Sequence, residues 1–163
     1  MTDTPSTPAL AAPLRRHEDW PERLDAFLRA RRAQAFLWGR HDCALFAAFA
    51  VEAMSGSEPA AAWRAGCDSA AGALRALRAA GHADLASAVT AALGAPLENP
   101  LYARRGDVAT VAVTEAMDGG AAARTGFPHA LGIVIGRQIA VVRPGLEGLG
   151  AVPLLAVVTA WRV

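Results

Sequence analysis

The most reactive side chains here belong to two cysteines and four histidines. Cys43 stands out by its setting. It directly follows the polar run Gly39-Arg40-His41-Asp42, and from Cys43 to Met54 only Glu52 interrupts a stretch of apolar, helix-forming residues. A thiol in the first turn of a helix faces unpaired backbone N–H groups and the positive end of the macrodipole, which together favour thiolate. The same N–H groups can hold the oxyanion that develops when a thiolate attacks a carbonyl. A plain packing role is equally sufficient, because cysteine is often a small buried hydrophobe. Chemistry alone leaves the two readings even.

A nucleophilic cysteine needs a base within hydrogen-bond reach. His17 falls in a proline-rich leading segment, and His82 follows the helix-stopping Gly81. His41 is close to Cys43 in sequence and could line the same pocket, although positions i and i+2 at a loop–helix junction seldom face each other. His129 leads from Phe127-Pro128 into an apolar strand, which makes it the better base. Phe36, Trp38 and His41 flank the cysteine and are candidate substrate contacts. Packing would equally account for Trp38 and Trp161. Asp42 has a sufficient role as a helix N-cap, and Asp107 as a backbone acceptor at a strand start. A zinc site from His41, Cys43, Cys67 and His129 lacks the paired spacing such sites use, so no metal and no cofactor is expected.

These residues need elements to position them. Residues 1–17 read as a flexible or loosely docked arm, followed by one domain over 18–163. Asp19-Trp20-Pro21-Glu22 predicts a helix start with an Asp19 cap and a capping box through Glu22. Leu24, Phe27 and Leu28 then share one face as far as about Arg32. The Cys43 helix is apolar on nearly every side, as expected at the centre of a domain, and Ser55-Gly56 ends it. A short helix from Pro59 through Trp63, another capped by Ser69, and a third over Asp84 to Leu93 complete the helical part. The period then changes. Strands are expected over Asp107–Val113, Leu131–Gly136 and Gln138–Val142, the last two joined as a hairpin by Gly136-Arg137. A Gly- and Ala-rich loop from Asp118 to Gly126 precedes the hairpin, and Val152–Val158 with Trp161–Val163 finishes the sheet. Helices first and strands afterwards give an α+β class, with an antiparallel sheet packed on the central helix.

At 163 residues and 53% hydrophobic composition, the chain can bury a core without disulfide or metal staples. The formal net charge of +1 provides no field to draw nucleic acid or an anionic membrane. All 16 basic residues are arginine, without a clustered motif. No apolar stretch approaches the roughly 18 residues that span a bilayer, and no signal peptide is read at the start. Synthesis in the bacterial cytoplasm is expected, with any action outside the cell reached by another route, such as an assembled particle. Two cysteines in that compartment are expected to stay unpaired.

The run Phe36-Leu37-Trp38-Gly39 followed by Asp42-Cys43 resembles the entry motif of the NlpC-type, papain-like cysteine peptidases and amidases. The order of the Cys helix, then Arg105-Gly106-Asp107-Val108, then His129-Ala130-Leu131-Gly132-Ile133-Val134-Ile135-Gly136 is also similar. With Ala62-Trp63-Arg64 and Ala160-Trp161-Arg162, the chain looks most like a small phage and prophage domain of unknown function, encoded among tail genes and related to that fold. The resemblance implies Cys43 as nucleophile, His129 as base and Gln138 as the polar group orienting the imidazole. It implies hydrolysis of amides in peptidoglycan stem peptides through an acyl-thiol, without metal or cofactor. Phage tail-tip or hub proteins are the implied partners and the virion the implied location. The alternative is an inactive tail-tip or assembly protein that kept the fold. In that family histidine stands two residues before the strand glycine. Here Ala130 holds that place and His129 lies one residue earlier, so strand alternation predicts that only one of the two faces Cys43.

Overall fold

The structure, a computed structural model, describes residues 14–61, 64–65, 67–113, 127–145 and 147–163. Four helices precede five strands among them: α1 (Trp20–Arg31), α2 (Cys43–Ser55), α3 (Ala70–Ala79), α4 (Leu85–Leu93), β1 (Val108–Ala112), β2 (His129–Val134), β3 (Gln138–Val141), β4 (Gly150–Pro153) and β5 (Val157–Trp161). The class is α+β, as expected. The strands form one antiparallel sheet in the order β4-β3-β2-β1-β5.

Local chemistry explains most helix boundaries. Asp42 caps α2 by accepting from Leu45 N–H at 2.9 Å, and Gly56 closes the helix in the left-handed region at φ 76°. Ser69 caps α3, and Asp84 forms a reciprocal capping box with Ser87 on α4. The expected box at α1 is absent. Asp19 instead accepts from Arg23 Nε at 2.7 Å one turn ahead, leaving the first-turn N–H donors of α1 without a side-chain cap. Residues 59–61 form a turn where a helix was expected, and Ala62 and Trp63 lie outside the described residues. The expected Gly-rich loop over 118–126 and the arm over 1–13 also lie outside them. Leu14 to His17 are docked: His17 N–H donates to Met54 C=O at 2.8 Å, and Leu14 packs on the main core.

The region expected as one strand over 152–158 contains two. β4 ends at Pro153, a 3-10 turn covers Leu154–Ala156, and β5 begins at Val157 on the opposite edge of the sheet. In a flat sheet those edges would stand about 19 Å apart across the strands. The connecting residues span less than about 15 Å even when extended. The sheet must therefore curl until its edges approach. Its concave face holds Ala109, Val111, Ala130, Val134, Ile139, Val141 and Ala160, all buried. The residues are small because the interior is narrow. Gly132 shows the tightness: a Cβ there would lie 2.5 Å from Ala140 C=O and 2.6 Å from Ile139 Cγ2. β5 also carries an irregularity, since Thr110 pairs with Thr159 but Val111 pairs with Val157. The Thr110 hydroxyl accepts from Thr159 N–H at 3.1 Å across this bulge.

All four helices meet the convex face. Leu131, Ile133, Val108, Ala140 and Trp161 pack against α2 and against Leu24, Phe27, Leu77, Leu85 and Ala88 of the other helices. α2 is buried nearly all round, as its composition requires. Trp161 is fully buried and its indole N–H donates to Thr90 Oγ1 at 3.0 Å, which fixes α4 against β5.

Two buried polar residues need separate accounts. Asp107 is fully buried and accepts from Arg16 Nη2 (3.0 Å), Arg162 Nη1 (2.6 Å) and Arg104 N–H (2.8 Å), tying three stretches of chain to the start of β1. His41 is 1% exposed beside Phe46, with a buried Nε2 that has no hydrogen-bond partner. Desolvation, with help from the Arg31 charge, holds its pKa below the ordinary histidine value.

Three outcomes follow. Asp107→Asn removes the anion between two guanidinium groups and should cost about 3 kcal/mol, read as a lowered urea midpoint; an unchanged midpoint would remove the clamp from the account. Gly132→Ala should destabilise by roughly 1–3 kcal/mol through overpacking, with far-UV dichroism checking that the fold survives. His41 resists protonation when folded but titrates near pH 6.5 when unfolded. Its contribution is therefore intact above that pH and lost progressively below it. Denaturation at pH 7.5 and 5.5 should show a loss of stability on acidification that His41→Gln reduces.

Candidate functional site around Cys43

The approach to Cys43 is built by a tight turn. Leu37 and His41 form an isolated bridge, with His41 N–H donating to Leu37 C=O at 2.7 Å. Gly39 sits at φ 73° inside it, where a side chain would meet Cys67 C=O at 2.9 Å. Its N–H donates to Asp42 Oδ2 at 2.9 Å while Leu45 N–H occupies Oδ1, so one carboxylate closes the turn and starts the helix. Asp42 is only 3% exposed, and burial raises its pKa despite these bonds.

Cys43 therefore stands where the sequence places it, at the first residue of α2. Its ionisation runs against expectation. Burial pushes the thiol up to about 12, and the neighbouring Asp42 charge adds to that rise. Hydrogen bonds from Leu131 and from the first turn of α2 act in the opposite direction and are outweighed. The helix start is a real anion-stabilising feature, but desolvation beside a buried carboxylate exceeds it. Cys67 forms no disulfide with Cys43, and burial raises its pKa as well.

A cavity of about 50 Å³ adjoins the thiol. Its walls include Phe36, Trp38, Cys43, Phe127, His129 and Ala130. Phe36 stands edge-on to Trp38 with centroids 5.0 Å apart, and Phe127 lies 6.0 Å beyond, so these aromatics form one wall. Two of the expected contacts, Phe36 and Trp38, thus border the cavity. His41 does not: it is enclosed with Phe46 and influenced by Arg31, away from the cavity.

The sheet register separates His129 from Ala130. His129 is the first residue of β2, opposite Ala112, and shares parity with Leu131 and Ile133 on the convex face. Ala130 belongs to the concave cluster, and Cys43 packs against that same cluster. His129 also lines a second cavity of about 430 Å³ with Thr110, Thr159 and the start of α4. Among the described residues no hydrogen bond joins Cys43 and His129. Gln138 is exposed and begins β3 at the hairpin, where its C=O accepts from Ile135 N–H. It stands roughly 20 Å along β2 from His129, so it cannot orient that imidazole. The antiparallel hairpin places the start of β3 beside the end of β2, which reverses the proximity expected of the next strand.

One polar group at the cavity escaped the sequence reading. Arg143 follows β3 and lines the cavity wall. Isolated among the apolar residues and Pro144 that border it, this arginine carries no motif that would single it out. Among the described residues no three His, Cys, Asp or Glu side chains are arranged to hold a metal ion, and no helix is long and apolar enough to cross a membrane.

No match is found among curated proteins or among solved structures. The profile of one family spans residues 15–163, which includes every described element, the Cys43 turn and the Asp107 clamp. The chain belongs to the family described as "Domain of unknown function (DUF6950)".

Proposed function

We propose that this chain is a non-hydrolytic relative of the NlpC-type, papain-like enzymes, serving as a structural or assembly module of a phage tail tip. The observation that carries the reading is the seat of Cys43: its thiol, pushed up to about 12, packs against the Ala130 cluster and is bonded to backbone in place of an imidazole. The resemblance of Trp38-Gly39-Arg40-His41-Asp42-Cys43, and the order of Cys helix, Gly106-Asp107 strand and His129 strand, supply the link to that fold and to tail proteins. In this reading Cys43 and the aromatic wall are packing elements, and the partners are tail-tip or hub proteins in the virion.

A second reading has one observation of its own. His129 and Cys43 line the same cavity, and catalytic hydrogen bonds are often long in an unliganded enzyme. On that reading the chain is a tail-borne cysteine peptidase or amidase acting on peptidoglycan stem peptides, with His129 as base and without Gln138.

Thiol reactivity against pH separates the two. A thiol with a pKa near 12 is ionised to about one part in ten thousand at pH 8, so Cys43 should alkylate with iodoacetamide far more slowly than free glutathione. Its rate should keep climbing beyond pH 10. A plateau between pH 6 and 8, indicating a thiolate–imidazolium pair, would defeat the non-hydrolytic reading. So would release of soluble fragments from purified sacculi by the wild-type protein and not by Cys43→Ala.

A further inference from the structure

We propose that His41 is an acid-sensitive latch: its protonation opens the turn from Leu37 to Asp42, which carries one wall of the cavity beside Cys43, while the sheet stays folded. The starting point is an imidazole with nowhere to place a second proton. His41 is 1% exposed, and its buried Nε2 has no hydrogen-bond partner. A neutral ring can occupy such a seat. An imidazolium carries two N–H donors and a charge, which require water or an acceptor.

The groups that face the ring supply neither. From α2 comes Phe46, edge-on with centroids 6.1 Å apart. From α1 comes the charge of Arg31, whose guanidinium lies 3.9 Å from the Phe27 ring centroid. Arg31 takes part in no ion pair among the described residues, so a second cation beside it would be repelled. Burial and that charge both hold the ring neutral. Asp42, next in the chain, directs its two oxygens to Gly39 and Leu45 N–H groups instead. Its own pKa is raised by burial, so acidification favours its seat and does not release it.

The backbone ties this ring to the turn. His41 N–H donates to Leu37 C=O at 2.7 Å, Leu37 N–H returns a bond to His41 C=O at 3.1 Å, and Arg40 N–H also reaches Leu37 C=O. Trp38 lies between the bridged residues and borders the cavity. Bringing the imidazole to water parts this bridge and draws Trp38 off the cavity. The sheet is anchored separately, at Asp107, and need not open.

Amide hydrogen exchange on the full chain, followed by NMR at pH 7.5 and 5.5 and expressed as protection factors, tests the latch. An imidazole that titrates near pH 6.5 once exposed raises the open population about tenfold over that interval when the buried ring stays neutral. Protection of the Leu37, Arg40 and His41 amides should fall by that factor. It should not change in about 1 M urea, because a local opening exposes little surface. Val134 N–H, bonded to Asp107 C=O in the sheet, should be the better protected at both pH values and should weaken in urea. His41→Leu removes the titration and should hold the turn's protection constant with pH; should it fail to fold, His41→Gln serves the same purpose. Turn protection that does not move with pH, a folded His41 variant that keeps the fall, or a urea response equal to that of Val134 would each overturn the proposal. The assay reads no thiol chemistry, so its outcome is independent of whether Cys43 is a nucleophile.

Discussion

A carboxylate without access to water must be neutralised by whatever surrounds it, and Asp107 is such a carboxylate. Its oxygens draw in Arg16 from before α1, Arg162 from the end of β5 and the Arg104 amide from the turn before β1. β1 is the strand that pairs with both β2 and β5, so whatever fixes its start fixes the register of the sheet's centre. From there β2 is placed, and α2 packs on the convex side of β2. The position of Cys43 is a late consequence of this chain of constraints. The residue is aimed by a helix that is itself aimed by a strand anchored at Asp107.

The site shows how one physical term can reverse another. A helix start beside a tight polar turn is a place where an anion is stabilised. The turn at Gly39, however, is closed by the carboxylate of Asp42, and the helix that follows is apolar enough to be buried from its first turns. Burial and a neighbouring negative charge both favour the neutral thiol. Sequence features that place a cysteine well for catalysis have here also set it beside a buried carboxylate and an apolar core, where the neutral thiol is favoured.

Much of the fold was legible because its signals are local. The Asp42, Ser69 and Asp84 caps, the change of period after residue 107, and the hairpin at Gly136-Arg137 can each be read from a few neighbouring residues. The failures came from competition and from distance. At Asp19 two local partners compete for one carboxylate, and Arg23 four residues on takes it from the helix N–H groups. Nothing in Val152–Val158 shows that the chain changes sheet edge within it. The site was legible to the same degree. Cys43, Phe36, Trp38 and His129 do border one cavity, because their elements were correctly identified. His41 and Gln138 were misplaced because burial and strand direction depend on partners distant in sequence. Arg143 carried no local signal at all.

The irregular end of β5 and the short β4 have a consequence for how copies of this chain behave toward one another. An open sheet offers two rows of unpaired backbone groups to any passing strand. Here one edge strand is only Gly150–Pro153 and ends in a residue that cannot donate, while the other is interrupted at Val158, where the ladder skips a residue. The two edges are also drawn toward each other by the turn at Leu154–Ala156. A sheet curled in this way, with a proline at one border and a bulge at the other, gives an incoming strand no straight template to extend. Resistance to edge-to-edge aggregation is thus built into the same short connection that closes the concave core.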